Sequence, residues 1–421
     1  MGRRRLGWIA TAAAAVALAA AAAVPGGAAA QGEEPPFVDW NPLLPGAPQQ
    51  FHPSRERDCA DGSPACVEQT LSQMYQRFDR LYASCDHNAA FGITYIRVTE
   101  AIRKAVLEGF YEEPGFLWHE DRVFARMYFE SYDAWASGRR ELVPPAWREA
   151  YDAGRDRSVS GTGNLLMAMN AHINRDFPFL LDALGLVKPD GSTRKVDHDR
   201  GNEVLNRLYN PVLKELSERF DPEVDDKNVP GASGDDTATF QILQGWREDV
   251  WRNAERLASA ETVDQRKAVA DYIEQYALGV ARQLKESTAI ESSSARDAHC
   301  AAYRRTHREK GGLARANKRR RALQARGARN RTVRLRMTCR EPIRDCEGTV
   351  VLRRAKKRLS RPAGLKLRAG ESRVVRLKLT RPGRRVARLR RGRRVRALTA
   401  SPSPWGTTRT ASVRLRLRVR R

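Results

Sequence analysis

Hydrophobic residues in the first half of the chain recur every three and four positions, which is the spacing of one face of an α-helix. The first series begins at Ser63-Pro64, where Ser is a favoured N-cap and Pro suits the first helical position. Its apolar members are Val67, Leu71, Met74, Phe78 and Leu81. The same spacing predicts helices near residues 63–85, 88–110, 116–137, 145–155, 162–185, 198–220, 236–258 and 262–286. About eight helices without a convincing strand predict an all-α domain.

Beyond residue 328 the hydrophobic period changes from helical spacing to two. Val333, Leu335 and Met337 alternate with Arg334 and Arg336, and similar alternation recurs at 375–379 and 413–419. Alternation of this kind is typical of strands with one buried face. About seven such runs, broken by Gly and Pro, predict a small all-β Ig-like sandwich after the helical domain.

The N-terminus has the pattern of a secretory signal. Arg3, Arg4 and Arg5 precede an apolar, Ala-rich stretch that ends before Pro25, and small residues follow at 28–30. We expect cleavage before Gln31 and, because no second hydrophobic stretch follows, no transmembrane span in the mature chain. The predicted organisation is a signal peptide (1–30), an extended Pro/Gly-rich arm (31–62), the all-α domain (63–290), a basic linker (291–328) and the basic β-sandwich (329–421).

Six cysteines in an exported chain favour disulfides over metal thiolates. Six cysteines allow fifteen pairings, so the sequence leaves the connectivity open. Close spacing favours two local loops, and the remaining pair would tie the start of the helical domain to its end. The favoured pairs are Cys59 with Cys66, Cys339 with Cys346, and Cys85 with Cys300.

The net charge of +26 is divided very unevenly. Residues 301–421 contain 42 basic and 5 acidic side chains, a net charge of +37, so residues 1–300 carry −11. After Tyr303 the only aromatic residue is Trp405. A base-stacking platform is therefore missing, and specific nucleic-acid binding is not expected. An arginine-covered sheet binds polyanions by charge, and an exported protein meets anionic cell-envelope polymers or lipid headgroups first. The sequence thus predicts a secreted or envelope-associated protein.

Candidate chemistry is concentrated at His172 and Asp176. They stand four residues apart on the predicted apolar face of a helix, and burying such groups without partners is costly. One interpretation is a shared metal ion, with zinc possible and with Asp121 and His198 as further ligands. The other is a structural hydrogen bond between His172 and Asp176. The sequence leaves both open.

Three segments resemble an uncharacterised bacterial family, the domain-of-unknown-function family 5995. They are GFLWHEDRVFARMYFESYDAW (115–135), VPPAWREAYDAG (143–154) and MNAHINRDFPFLL (169–181), the last followed by VDHDRGN (196–202). The resemblance covers about residues 70–290 and implies an all-helical domain without an established activity. The C-terminal TCREPIRDCEGTVVLRR looks like small β-sandwich modules of exported actinobacterial proteins.

A more distant likeness is to the helical zinc phospholipase C and P1 nuclease group. His172 and Asp176 are similar to its His-x-x-x-Asp ligand pairs, although that group uses several pairs and this chain has one. The likeness implies a metal-dependent hydrolase acting on an ester or phosphodiester. The alternative function is a non-enzymatic binding or scaffold protein of the cell envelope.

Overall fold

The structure is a computed structural model that describes residues 37, 44–226, 235–317, 323–326, 331–389, 393–402 and 408–419. The predicted signal peptide and the first part of the predicted arm lie outside the described residues. A helical region over residues 65–306 is followed by strands over 309–419. This order confirms the predicted fold class.

The helices follow the predicted periodicity closely. They are α1 (Ala65–Ala83), α2 (Ala89–Leu107), α3 (Pro114–Ala136), α4 (Pro145–Asp156), α5 (Gly161–Asn170), α6 (Phe177–Leu184), α7 (Lys195–Arg219), α8 (Glu223–Asp226), α9 (Asp235–Ala258), α10 (Val263–Ser287) and α11 (Ser294–Thr306). A 3₁₀ turn, Arg140–Leu142, precedes α4. The predicted helix at 162–185 is divided into α5 and α6 by a π-helical turn, Ala171–Asp176.

The strands belong to one hydrogen-bonded network. They are β1 (Glu309–Gly312), β2 (Arg315–Ala316), β3 (Leu323–Arg326), β4 (Thr332–Thr338), β5 (Arg344–Arg354), β6 (Lys357–Arg358), β7 (Ala363–Leu367), β8 (Ser372–Lys378), β9 (Arg393–Pro402) and β10 (Thr408–Val419), with helix α12 (Arg381–Ala387) between β8 and β9. The path runs β1-β5-β9-β10-β3-β4-β2, while β6 and β7 pair with β5, and β8 pairs with β4.

The β region begins earlier in the chain than expected. The segment predicted as a linker, 291–328, contains α11 and strands β1 to β3. Strands β1 and β3 are short and pair in parallel with β5 and β10, so they lack the long alternating pattern that marks the later strands. Their place in the network depends on distant partners rather than on local sequence.

Each region has its own apolar core. In β4 the side chains of Val333, Leu335 and Met337 are fully buried, whereas Arg334 and Arg336 are exposed. This is the arrangement that period-two alternation predicts. The arginines of the tail therefore lie on the outside of a sheet whose inner face forms a core.

Disulfides close the loops that cysteine spacing favoured. The structure joins Cys59 to Cys66, Cys85 to Cys300, and Cys339 to Cys346. The second of these fixes α11 to the end of α1. A disulfide that closes so long a segment restricts the unfolded chain considerably.

The described part of the N-terminal arm lies along the helices. Arg55 donates to the Asp182 carboxylate and to its backbone carbonyl, and Arg122 of α3 pairs with Asp58 at 2.8 Å. Leu44, further back, accepts a hydrogen bond from Arg252 of α9. The arm is thus attached to several helices, as a surface segment.

The β region contacts the helical region through the loop between Cys339 and Cys346. Ile343 packs against the helical core, and the buried Arg344 donates to both Asp79 oxygens at 2.8 and 2.9 Å. The Arg344 guanidinium also lies 4.6 Å from the centre of the Tyr75 ring. Among the described residues, no helix has both the length and the apolar character needed to cross a membrane.

Candidate functional site

The π-helical turn Ala171–Asp176 positions the predicted pair. Pro178 follows it in the first turn of α6 and lacks the N–H that would bond to the carbonyl of Asn174. A wider turn at this point accommodates the missing bond, and such π turns are frequent at functional sites. His172 and Asp176 are only 3% and 1% exposed, so the pair is sealed inside the helical domain.

Asp176 is surrounded by hydrogen-bond donors. Trp147 Nε1 donates to its Oδ2 at 2.8 Å and Arg175 Nη1 to its Oδ1 at 3.0 Å, while His172 Nδ1 lies 3.1 Å from Oδ2. An ionised carboxylate only accepts, so His172 carries its proton on Nδ1 and exposes a lone pair on Nε2. Burial lowers the pKa of His172, against the opposing effect of Asp176, so the imidazole is neutral at pH 7.

Aromatic rings enclose the imidazole of His172. The Phe124 ring is stacked on it at 3.6 Å, and the Tyr95 ring packs edge-on at 4.7 Å. His172 Nε2, Tyr95 Oη and Asp121 Oδ2 are buried atoms without a hydrogen-bond partner. Burial raises the pKa of Asp121 well above its usual range, and the neighbouring Glu120 adds to this. Burial also raises the pKa of Tyr95, and Asp121 adds to this. The predicted ligand Asp121 therefore lies near the Tyr95 side of this cluster, as a carboxyl for which ionisation is unfavourable.

His198 forms a separate set of contacts. Its Nε2 donates to the backbone carbonyl of Arg247 at 3.0 Å, and its Nδ1 has no partner. Burial lowers the pKa of His198 well below its usual range, and the positive charge of Arg247 adds to this. Arg247 is held in turn by Asn202, whose Oδ1 accepts from its Nε at 2.7 Å.

The four predicted metal ligands do not meet around one point. The rings of Phe124 and Phe177 stack between His172 and His198, at 4.6 Å from each other. Among the described residues, the His, Cys, Asp and Glu ligand atoms that lie within 4.8 Å of one another in groups of three or more are those of Cys59, Asp61 and Cys66. Both of those cysteines are in a disulfide. The predicted set is thus divided between two sides of an aromatic stack.

Several neighbours of the site were not recognised from the sequence. The Glu120 side chain makes no hydrogen bond in the described structure and lines a small cavity of about 10 Å³ with His198, Asp197 and Trp251. That volume is about the space of one water molecule. Burial raises the pKa of Glu120 to about 7. The run His119-Glu120-Asp121 was the available signal, but the predicted helix start near residue 116 favoured ordinary partners of the helix dipole. The structure contradicts that interpretation, because α3 begins at Pro114 and has no acidic residue in its first turn.

Asp197 lies in the first turn of α7 and caps a different helix, α3. Its carboxylate accepts the backbone N–H groups of Glu112 and Glu113 at 2.9–3.0 Å, immediately before α3. Two backbone donors at a helix start are thereby satisfied. The acidic residue belongs to the structural framework of the site.

A sequence profile for a family of unknown function, DUF5995, matches residues 67–287, which is more than half of the chain. The chain belongs to this family. The match covers α1 to α10 and includes His172, Asp176, Asp121 and His198. No curated protein and no solved structure matches the chain. The family contributes a boundary for the helical domain and no activity.

The β region lies outside the DUF5995 match and has a second candidate site on its surface. Arg353 of β5 is directly opposite Arg396 of β9, which is directly opposite Arg414 of β10. These three residues, here called the arginine row, lie on one face across three strands. Neighbouring strands are about 4.8 Å apart, so the three cations are close together.

Similar pairs lie elsewhere on the sheet. Arg394 is opposite Arg416, and on the other part of the network Arg334 is opposite Arg376. All four of these arginines are exposed. None of them forms an ion pair with a described carboxylate, so the surface has unneutralised positive charge at regular spacing.

Proposed function

We propose that the protein is exported and attaches to an anionic polymer of the cell envelope through its β domain. The observation that carries this proposal is the arginine row. Like charges directly opposite one another destabilise a sheet, and a bound anion removes that repulsion. A row of cations at strand spacing matches a chain of repeated negative charges.

The position of the acidic residues supports this proposal. Glu309 is occupied by Arg219 and Arg344, and the carboxylate of Asp345 accepts the backbone N–H of Ala369. Glu371 accepts from the backbone N–H of Arg368. These carboxylates serve the domain interface and loops, so none of them neutralises the arginine row. Within the row, Arg396 and Arg414 are exposed, while Arg353 is half-buried and donates to the backbone carbonyl of Lys356 at 3.4 Å.

The choice of partner rests on chemistry and on the predicted signal peptide. Nucleic-acid binders without sequence preference combine basic surfaces with aromatic stacking platforms. After Tyr303 the only aromatic residue in the sequence is Trp405, which lies outside the described residues. Binding of envelope polymers that bear phosphate or carboxylate groups requires only positive charge on the protein. An exported protein encounters such polymers at the cell surface.

We propose a non-enzymatic role for the DUF5995 domain, as a rigid carrier of the β domain. Three donors already satisfy Asp176, and His172 is sealed under Phe124. A hydrolytic zinc needs about three protein ligands and an open position for water. The division of the predicted ligands by the Phe124 and Phe177 rings favours the scaffold over the metal-dependent hydrolase.

The attachment is tested with the full secreted chain and isolated cell walls. Binding should weaken steeply with salt, since it depends on counterion release. Replacing the arginine row by glutamine (R353Q, R396Q, R414Q) should reduce the slope of the logarithm of the binding constant against the logarithm of salt concentration by roughly 2 to 3. Each lost contact contributes about 0.7 to 0.9 to that slope. The control replaces three exposed arginines of the helical domain, Arg80, Arg139 and Arg282.

An equal loss in the control would show that total charge, and not the arginine row, governs binding. Absence of wall binding at low salt would overturn the proposal. For the carrier role, the test is metal content and unfolding temperature before and after dialysis against a chelator. The hydrolase hypothesis would be restored by two results together. The wild type would contain a stoichiometric metal whose removal lowers its unfolding temperature, and His172→Gln would contain no such metal.

A further inference from the structure

A cleft on the β domain contains three arginines from three separate segments. It has a volume of about 430 Å³ and is lined by Arg315, Ala316, Arg340, Ser412, Val413 and Arg414. This volume lies in the range of small-molecule sites, about 300–1,000 Å³. The cleft overlaps the arginine row at Arg414 and adds Arg315 and Arg340, which are not part of the row.

The sheet topology brings the three arginines together. Arg315 of β2 is opposite Thr338 of β4, and Arg340 follows Thr338 by two residues. Arg414 comes from β10, far along the chain, and Ser412 precedes it by two residues on the same strand. Residues two apart on a strand lie on one face, so the Ser412 hydroxyl and the Arg414 side chain share a wall of the cleft.

The three guanidinium groups have no partner within the described structure. Arg315, Arg340 and Arg414 are exposed, and their side chains form no hydrogen bond or ion pair with another described residue. The arginines of the helical domain behave differently, since Arg97, for example, binds Glu215 through two nitrogens. Three arginines that line one cleft, with no carboxylate in its lining, indicate a site that an external anion completes.

We propose that this cleft binds a phosphate group, as a monoester or as one unit of a phosphodiester polymer. A guanidinium donates through a planar fork of N–H groups that fits two phosphate oxygens. A phosphate has enough oxygens for several forks, and a monoester carries close to two negative charges near neutral pH. A carboxylate has two oxygens and one charge, so it would leave most of the cleft unsatisfied.

The remaining lining defines the rest of the ligand. The Ser412 hydroxyl supplies a further donor, while Ala316 and Val413 present small apolar surfaces. A phosphate occupies only part of 430 Å³. The cleft therefore accommodates the polyol or sugar attached to the phosphate, such as a glycerol unit.

This inference rests on the proposed envelope attachment, and it adds a saturable site to the diffuse charge of the arginine row. The experiment titrates glycerol 3-phosphate into the full chain by calorimetry. The cleft variant R315Q/R340Q is compared with R334Q/R376Q, which removes two exposed, directly opposed arginines elsewhere on the same sheet. Exposed glutamines leave the core untouched, and unfolding temperatures verify that both variants fold.

The wild type should bind one glycerol 3-phosphate, and R315Q/R340Q should bind it about tenfold or more weakly, because two charge-assisted interactions are lost. The control should change less than about twofold. Acetate should not compete. Vesicles of phosphatidylglycerol, cell walls and inorganic phosphate, used as competitors, distinguish a lipid headgroup, a wall polymer and free phosphate as the source.

Two results would overturn the phosphate site. One is an equal loss of affinity for glycerol 3-phosphate in both variants, which would show that the overall positive charge of the sheet, and not the cleft, binds the ligand. The other is the absence of saturable binding by the wild type. Binding of glycerol 3-phosphate without any retention on walls would instead retain the cleft and remove the envelope attachment. A third combination is wall binding that both double variants weaken equally, with no binding of glycerol 3-phosphate. That result would support the envelope attachment and contradict the phosphate site in the cleft.

Discussion

The helical and β domains treat their charged side chains in opposite ways. In the helical domain, Asp182 is shared by Arg55 and Arg266, and Arg97 binds Glu215 through two nitrogens. In the β domain, Arg396 lies between Arg353 and Arg414 with no carboxylate among them. The comparison teaches that paired charges serve the fold, whereas unpaired and regularly spaced charges are available to a partner.

Arg344 belongs to the β domain by sequence and to the helical domain by its interactions. It is 2% exposed, binds Asp79 through its Nε, and lies against the Tyr75 ring. It also contacts Glu309, which in turn pairs with Arg219 of α7. A buried charge network of this kind joins two domains in one orientation only when every member has a partner.

The largest expected effect comes from removing a member of this buried charge network between the two domains. Asp79→Ala leaves Arg344 buried without its main partner and should cost about 3–5 kcal/mol of unfolding free energy. The matched control is Asp133→Ala, since Asp133 is 52% exposed and pairs with Arg77 at 2.6 Å. An exposed pair contributes about 0–1 kcal/mol. Urea unfolding of both variants makes the measurement, and equal losses would contradict a special role for the buried pair.

The next effect concerns the half-buried carboxyl of Glu120, which forms no ion pair with another described residue. Burial raises the pKa of Glu120 to about 7 in the folded protein, against the opposing effect of Arg247. Between about pH 4.5 and 7 the folded state therefore holds a proton that the unfolded state has released. Stability contributed by this group falls as pH rises through that window, by on the order of 3 kcal/mol in total.

Glu120→Gln should remove this part of the pH dependence. Unfolding free energies at pH 4.5 and pH 7.5 should differ less in the variant than in the wild type. Glu130→Gln is the control on the same helix, because Glu130 is 71% exposed. The assignment is wrong if both substitutions leave the same pH profile.

The smallest expected effect is the change in the free energy of unfolding when arginine is replaced by glutamine, and its sign should differ between the two domains. Replacing the arginine row by glutamine should raise stability at low salt by about 1 kcal/mol or less, because opposed like charges are removed. The gain should disappear near 1 M salt, where the screening length is about 3 Å. Arg97→Gln should instead lose about 1 kcal/mol. A loss of stability in the row variant at low salt would show that these arginines are used internally.

The helices were predictable because each depends on a local pattern. The predicted bounds 88–110 and 145–155 differ from Ala89–Leu107 and Pro145–Asp156 by a few residues. The division of 162–185 by a π turn was missed, although Pro178 is visible in the sequence. A proline in the first turn is compatible with a regular helix start, so its consequence depends on what precedes it. Strands β1 to β3 were missed because they are short and take their order from distant partners.

The sequence by itself determined the change from period 3.6 to period two and the division of charge. It favoured one disulfide pairing without fixing it, and the structure has that pairing. It also identified His172 and Asp176 as a pair, because four residues are about one helical turn. Only the tertiary structure decided that His198 is separated from them by Phe124 and Phe177. Only the sheet register decided that arginines from three strands form one row. Local periodicity fixes which face a residue occupies, whereas distances between faces depend on how distant elements pack.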